Sequence, residues 1–182
     1  NEGTFVSVLV ACGDLASLAE GRQIHQLISK TVYQKCDFII SALISMYSKC
    51  GDLLTARKVF NDGIRGQRDL VSWNGIIAAY AHHGHGKEVI KLFHEMQNMG
   101  LHPNDVTYVG LLTACSHAGV VGEGFRYLVM HVNARSIKWR EDHYTCFIDL
   151  CVREGRFKEA SNFIKQLPSE ASLYAWGSVL AA

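Results

Sequence analysis

The chain has 182 residues, of which 48% are apolar and only two are prolines, and its formal net charge is +1 at pH 7. This composition argues against a disordered chain and is typical of a folded, helix-rich protein. The near-neutral charge neither requires nor excludes a polyanionic partner, because a basic stripe can lie on a neutral molecule. We expect no membrane span, since no apolar run approaches the required length of about 18 residues, and no secretory leader is recognisable.

Six cysteines occur without a C-x-x-C pair. In a chain of this size these spacings predict reduced thiols, and therefore an intracellular or organellar compartment. The first and last residues fall inside periodic segments, so we expect the chain to be an excerpt of a longer protein.

An apolar pattern at i, i+3, i+4, i+7 begins at Phe5 with Val8, Leu9 and Cys12, and it is typical of one face of a helix. It recurs along the chain, with the leading residues Phe5, Ile40, Trp73, Tyr108, Tyr144 and Trp176. Successive leading residues are 35, 33, 35, 36 and 32 positions apart. This regularity indicates an internal repeat.

Each first helix is followed by a turn and a second apolar helix. Glycine, which suits the left-handed backbone that closes a helix, occurs in the turns at 49–52, 82–86, 117–122 and 153–156. Most second helices carry a small residue at one equivalent place, namely Gly21, Ala56, Gly124 and Ala160, with Val89 as the exception. These small residues predict a close approach of paired helices. After the second helix comes a polar stretch, and in one of these Pro103 stops the helix.

Hairpins of roughly 35 residues cannot bury their apolar faces alone, so the sequence predicts an all-α protein, an α-solenoid of stacked helix-turn-helix repeats. We place the units at 2–36, 37–69, 70–104, 105–140 and 141–172, with a sixth begun at 173. The first helices are expected to line the concave wall, which is the default binding surface.

The eighth place of the first helix separates two repeat families of nearly this period. A tetratricopeptide unit needs a small residue there, whereas this chain has Ile44, Ile77, Leu112 and Ile148. The stretches DFIISALISMYSKCGDLLTARKVF and LVSWNGIIAAYAHHGHGKEVIKLFHEMQNMGLHPN instead resemble units of pentatricopeptide repeat proteins of the plant PLS subfamily.

In chain order the units resemble the L, S, P, L and S types of that subfamily. The tail LYAWGSVLAA, within 173–182, resembles the opening of the E motif of organellar RNA-editing factors. Two stretches depart from the family pattern: NDGIRGQRD lengthens unit 37–69, and HVNARSIKWRED replaces the usual proline-bearing end of unit 105–140.

The resemblance implies a right-handed superhelix that binds single-stranded RNA, with one base per unit specified by the fifth and last residues of the unit. These pairs are Ser41 with Asp69, Asn74 with Asn104, and Thr145 with Ser172. By the same resemblance, unit 37–69 prefers guanine and unit 70–104 a pyrimidine, cytidine above uridine. The second residues Phe38, Val71 and Val106 would sandwich the bases.

Not every fifth residue fits base recognition equally well. Val6 and Val109 hold this place in the L units and cannot form hydrogen bonds, and the pair Thr145 and Ser172 lacks the acidic or amide partner of the upstream pairs. For Ser41 and Asn74 the alternative interpretation is N-capping of a helix, for which serine and asparagine are well suited.

A basic residue recurs near the end of the first helix: Lys49, His82, His117 and Arg153. These side chains would contact RNA phosphates or, alternatively, would be solvated polar positions before a turn. His83 and His85 have no counterparts in other units, and a zinc site needs several converging ligands. We therefore expect a turn at 82–86, with no metal and no cofactor.

No catalytic motif is present in the sequence: it lacks serine-hydrolase and phosphate-loop motifs and the H-x-E with downstream C-x-x-C of zinc deaminases. We expect this segment to have no catalytic residues. In the family that the chain resembles, deamination belongs to a separate C-terminal domain or to a recruited partner.

The resemblance thus implies sequence-specific RNA binding that guides C-to-U editing of an organellar transcript, in the mitochondrion or alternatively the chloroplast. Editing-complex proteins would bind through the L units or the E motif. The competing hypothesis is a helical scaffold for protein–protein interaction, which the near-neutral charge favours. Exposed end repeats of the excerpt would favour a homodimer.

Overall fold

The computed structural model describes residues 1–62, 69–119, 122–124, 126–127, 141–153, 155–165 and 176, and within these residues all regular structure is helical. The helices are α1 (Glu2–Asp14), α2 (Leu18–Ser29), α3 (Asp37–Lys49), α4 (Leu53–Asp62), α5 (Leu70–His82), α6 (Gly86–Asn98), α7 (Asp105–His117), α8 (Glu141–Arg153) and α9 (Phe157–Ile164). A short 3-10 helix, Val32–Lys35, follows α2. None of the described helices has the length and apolarity needed to cross a bilayer.

The chain divides into two compact halves, Asn1–Tyr80 and Ala81–Ala182. The first contains α1 to α4 and most of α5, and the second contains α6 to α9. The helices α1, α3, α5, α7 and α8 begin at residues 2, 37, 70, 105 and 141, the first residues of the units predicted from the sequence.

Small residues allow the helices to approach closely, as the sequence predicts. A Cβ atom on Gly21 of α2 would lie 2.5 Å from Met46 Sδ of α3, and one on Gly124 would lie 2.7 Å from Cys115 Cβ of α7. Ala56 and Ala160, at the equivalent place in other units, are buried. The side chain of Met46 therefore fills the space that the missing side chain of Gly21 leaves.

The core of the first half consists of the apolar faces of the first helices, covered by the second helices. Phe60 of α4 and Trp73 of α5 are completely buried, and their ring centroids lie 4.9 Å apart in an edge-to-face arrangement. Val8 is a partial exception to the predicted core, because it is 37% exposed whereas its counterpart Leu43 is buried. The reason is that α3 has a first helix on each side, α1 and α5, whereas α3 is the one first helix that α1 contacts among the described residues of this half.

Arg22 links α2 to the start of α4 through Asp52. The carboxylate of Asp52 accepts hydrogen bonds from Arg22 Nη2 at 2.9 Å, from Thr55 N at 3.1 Å and from Thr55 Oγ1 at 2.9 Å. Burial alone would raise the pKa of Asp52, but the hydrogen bonds from Arg22 and Thr55 outweigh it and lower this pKa below its usual value. The ionised carboxylate therefore caps α4 and joins two consecutive units.

The cysteines are free thiols, and Cys12, Cys115 and Cys151 are buried. Burial raises the pKa of Cys115 to about 12 and that of Cys151 to about 11. Their thiols are therefore protonated at neutral pH and serve as small apolar groups in the core.

The turns after the first helices use left-handed backbone at equivalent places. Gly51, Gly84, Gly119 and Gly155 all have positive φ, between 68° and 79°. The first unit has Ala16 at this place, with φ of 51°, so its turn carries no glycine to reveal it in the sequence. Ala16 N and Ser17 N donate to Gly13 O and Cys12 O, and Gly51 N and Asp52 N donate to the matching carbonyl groups of α3. Both turns are Schellman motifs.

We expect Gly51→Ala to lower the free energy of unfolding by about 1 kcal/mol, because a Cβ atom strains a left-handed residue. Ala16→Gly should raise the free energy of unfolding by a smaller amount, since relief of strain is partly offset by the added flexibility of the unfolded chain. Urea denaturation of the two variants measures this. Equal losses of stability in both would contradict the assignment of strain to Ala16.

Candidate nucleic-acid interface

The second and fifth residues of a first helix lie one turn apart on the same side of that helix. We call the surface that they form on each first helix its reading face. Phe38, Val71 and Val106, the second residues of α3, α5 and α7, are 73%, 61% and 51% exposed. Large apolar side chains at the same place of three helices are thus left accessible, as contact with bases requires.

The fifth residues lie inside their helices. Ser41 of α3 and Asn74 of α5 are half-buried, and Thr145 of α8 is exposed. The alternative interpretation of Ser41 and Asn74 as N-caps is therefore wrong, because each lies a full turn past the start of its helix. Val6 and Val109 lie at the fifth place of α1 and α7 and are also half-buried.

The hydroxyl group of Ser41 has a distinct environment. Its Oγ is buried and makes no hydrogen bond with any described residue. A base could bond to this hydroxyl only after a rotation of the Ser41 side chain that exposes Oγ, and the bond would then satisfy a polar atom that the described residues leave without a partner.

N-capping is instead performed by the last residues of units 37–69 and 70–104. Asp69 Oδ1 accepts a hydrogen bond from Ser72 N, at 2.9 Å, in the first turn of α5. Asn104 Oδ1 accepts from Thr107 N at 3.1 Å and from Thr107 Oγ1 at 3.0 Å, while Asn104 N donates to Thr107 Oγ1 at 3.1 Å. Asp69 and Asn104 are thus each bound to the next first helix, whereas Cys36, the last residue of unit 2–36, forms no side-chain cap to α3. Ser172, the last residue of unit 141–172, lies outside the described residues.

Three of the four recurrent basic residues contact protein groups. Lys49 Nζ lies 2.5 Å from Asp14 Oδ1, and His117 Nδ1 lies 3.4 Å from Ala81 O. Arg153 Nε donates to both carboxylate oxygens of Asp149, each at 3.0 Å.

His82, the fourth, is exposed at the end of α5. Its neighbours His83 and His85 are exposed in the turn that follows. Among the residues that the structure describes, no three His, Cys, Asp or Glu side chains are grouped as metal ligands would be.

The acidic partners Asp14 and Asp149 were not identified from the sequence. Asp14 occupies in α1 the same place that Lys49 occupies in α3. An alignment of the units would therefore have shown an acidic residue at the place where the other units have a basic one. Asp149 also accepts a hydrogen bond from Ser116 Oγ of α7.

A cleft of about 690 Å³ in the first half was also not expected from the sequence. It lies among α2, the 3-10 helix, α3 and α4, with the apolar residues Ile40, Leu43 and Val59 and the cations Lys35 and Lys58 in its lining. Burial, followed by the charge of Lys58, lowers the pKa of the cleft residue His25. Because four separate segments form this cleft, no local pattern reveals it.

Asp14→Asn is expected to release Lys49 from its ion pair. If Lys49 then contacts a phosphate, affinity for short single-stranded RNA should rise, and the slope of log affinity against log salt should steepen by about 0.7, the value for one phosphate of a single strand. Asp62→Asn, at the exposed end of α4, is the matched control because it changes the net charge equally. Identical slopes in the two variants would show that Lys49 makes no phosphate contact.

Comparison with known sequences identifies one family along the chain. A family profile described as "PPR repeat family" matches residues 68–117, and one described as "PPR repeat" matches residues 39–65 and 142–170. The Arabidopsis thaliana "Pentatricopeptide repeat-containing protein At2g35030, mitochondrial" is 53% identical over 182 residues, which is 100% of this chain and 29% of that protein. "Pentatricopeptide repeat-containing protein ELI1, chloroplastic", also from Arabidopsis thaliana, is 40% identical over 100% of this chain and 29% of its own length. The chain thus spans less than a third of these relatives.

Solved structures give the same fold. The pentatricopeptide repeat protein PPR10 from maize superposes with a TM-score of 0.66 at 23% identity, covering 98% of this chain and 26% of its own. Nuclear proteinaceous RNase P 2 (PRORP2) from A. thaliana gives a TM-score of 0.70 at 15% identity, over 98% of this chain and 41% of its own. The predicted all-α fold of stacked helical hairpins is confirmed, and with the sequence matches it follows that the chain belongs to the pentatricopeptide repeat family.

Proposed function

We propose that the chain binds single-stranded RNA sequence-specifically, and that units 37–69 and 70–104 each select one base. The observation that carries the proposal is the reading face of α3 and α5. In each helix an exposed apolar second residue, Phe38 or Val71, lies one turn before a polar fifth residue, Ser41 or Asn74. An apolar side chain provides a stacking contact, and a hydroxyl or amide one turn away provides hydrogen bonds to the edge of the stacked base.

A structural relative supports the choice of ligand. Maize PPR10 has been solved in complex with an 18-nt psaJ RNA element, at a TM-score of 0.67 to this chain. The family resemblance assigns bases through the fifth and last residues of each unit. It assigns guanine to unit 37–69 and a pyrimidine, cytidine above uridine, to unit 70–104. Since the RNA is expected to run parallel to the units, guanine lies immediately 5′ of the pyrimidine.

The wider role that we propose is guidance of C-to-U editing in a plant organelle by a PLS-type array. The alternation of unit types along the sequence and the E-motif-like tail support this role. The 53% identical relative is named as mitochondrial and the 40% identical one as chloroplastic, and we favour the mitochondrion. In this proposal the segment recognises the transcript without catalysis, and the deaminase is a separate domain or partner.

Two observations favour a second candidate function, a scaffold for protein–protein interaction. Val6 and Val109 place apolar groups at the fifth place, where no hydrogen bond to a base can form. The cleft in the first half also combines the apolar residues Ile40, Leu43 and Val59 with the charged residues Lys35, Lys58 and Asp62 in its lining. Editing-complex proteins would then bind where RNA does not.

Selection from a random pool of short RNAs, followed by sequencing of the bound fraction, tests the proposal. We expect enrichment of guanine followed directly by a pyrimidine, and weaker binding of the same sequence as DNA. Binding that is equal for RNA, DNA and an unrelated polyanion would contradict RNA recognition and leave the scaffold function.

An exchange of both specifying residues tests the assignment of the bases to the units. Asn74→Ser combined with Asn104→Asp should give unit 70–104 the guanine preference of unit 37–69, because it then carries the same pair of side chains. One well-placed hydrogen-bond set contributes about 1–3 kcal/mol of discrimination in other nucleic-acid readers. The measurement is the affinity of native and exchanged proteins for RNAs with each of the four bases at that position, at fixed salt. If affinity survives but the preferred base does not change, this pair does not specify the base.

A further inference from the structure

We propose that Thr107 is a positioning residue for base selection by unit 70–104, because it fixes which end of the Asn104 amide can face the RNA. This inference rests on the proposed function. Thr107 is the third residue of the following first helix, α7, and belongs neither to the fifth and last residues nor to the second residues of the units.

Thr107 holds one atom of the Asn104 side chain with two hydrogen bonds. Its backbone N donates to Asn104 Oδ1 at 3.1 Å, and its Oγ1 donates to the same oxygen at 3.0 Å. The hydroxyl also accepts a hydrogen bond from Asn104 N at 3.1 Å, which completes a capping box. Thr107 is completely buried, so water cannot replace these bonds if the hydroxyl is lost.

These bonds matter because the two ends of a carboxamide differ chemically. The oxygen accepts hydrogen bonds and the nitrogen donates them, and a half-turn about Cβ–Cγ exchanges the two. In the exchanged orientation Nδ2 would meet Thr107 N, a donor facing a donor. Thr107 therefore keeps the oxygen toward α7 and the nitrogen turned away from it. A donor in this position suits the O2 carbonyl group of either pyrimidine and the N3 acceptor of cytosine, which uracil lacks because its N3 is protonated.

Other N-caps of the chain show which capping side chains accept a hydrogen bond from the hydroxyl of the third helix residue. At the start of α1, Thr4 N and Thr4 Oγ1 both donate to Asn1 Oδ1, each at 2.9 Å, as Thr107 does to Asn104. At the start of α5 the cap is Asp69, and only the backbone N of Ser72 donates to it. The buried Ser72 Oγ makes no hydrogen bond with any described residue. At the start of α4, Thr55 N donates to Asp52 Oδ1 and the Thr55 hydroxyl donates to Asp52 Oδ2, so this aspartate cap accepts the two bonds on two equivalent oxygens. Both bonds to a single oxygen are found with the described asparagine caps, Asn1 and Asn104, whose amides have two unlike ends.

Four single variants and one double variant test the inference, with RNA of the sequence selected by the native protein. Asn104→Asp alone is the reference for the double variant, which combines it with Thr107→Val. Thr107→Val removes the hydroxyl at nearly constant volume, Thr107→Ser retains it, and Ser72→Ala makes the corresponding change in α5. The quantity measured is the ratio of Kd values for purine and pyrimidine at the base assigned to unit 70–104, together with the melting temperature. At the base assigned to unit 37–69, the quantity measured is the ratio of Kd values for guanine and for each of the other three bases.

We expect Thr107→Val to reduce the discrimination of unit 70–104 about threefold to tenfold, the effect of one neutral hydrogen bond. Thr107→Ser should restore it, and Ser72→Ala should leave the guanine preference of unit 37–69 unchanged. In a protein that already carries Asn104→Asp, adding Thr107→Val should not alter the base ratio, because a carboxylate has no second orientation to adopt. This double variant also separates loss of positioning from loss of folding.

A Thr107→Val protein that binds all four RNAs more weakly by the same factor would overturn the inference, since Thr107 would then act only on stability. So would an equal change of the base ratio in the Asn104→Asp background. Absence of any base preference in the native protein would overturn the proposed function itself, and with it this inference.

Discussion

The first backbone N–H groups of each first helix have no hydrogen-bond partner within the helix and need one from outside it. The geometry of the candidate interface depends on which residue supplies this partner. Asn1, Asp69 and Asn104 accept these hydrogen bonds through their side chains. A residue that caps the next helix is held at the junction of two units. The helix that it starts then presents its own second and fifth residues at fixed distances from the cap. Capping therefore sets the register between a last residue, which in the proposed function specifies a base, and the reading face that follows it. Cys36, before α3, forms no side-chain cap, so this device is not used at every junction.

Helical periodicity alone predicts most of the fold, because each apolar face recurs at one period and each hairpin must bury that face against a neighbour. The first residues of the predicted units coincide with the helix starts, and Gly21 and Gly124 lie at the close contacts expected for them. The sequence does not reveal features that depend on an unusual backbone conformation or on contacts between distant residues. The left-handed Ala16 carries no glycine signal, and the ion pair of Asp14 with Lys49 joins residues of different units. Capping by Ser41 and Asn74 stays an alternative at the level of the sequence, because the residue type shows which side chains can cap but not the residue at which the helix begins.

The electrostatics of the candidate RNA interface differ from those of a uniformly basic groove. Lys49 and Arg153 are each bound to a carboxylate, so their charges are largely compensated before any ligand arrives. The exposed apolar side chains Phe38, Val71 and Val106 are available without such competition. Stacking on apolar side chains is less sensitive to salt than phosphate contact. An RNA bound in this way would derive more of its affinity from bases than from backbone, which agrees with a net charge of only +1.

Unit 105–140 shows how selection and spacing can be separated within one repeat. Its helix α7 begins with a complete capping box at Asn104 and Thr107, and it exposes Val106 for stacking. Its fifth residue, Val109, offers no hydrogen-bonding group, so a base placed on this helix would be stacked but not chosen. The cap nevertheless serves the preceding unit, because Asn104 specifies the base of unit 70–104 in the proposed function. Under the two proposals, a unit that reads no base thus remains necessary for recognition, since its first turn orients the side chain that reads for its neighbour.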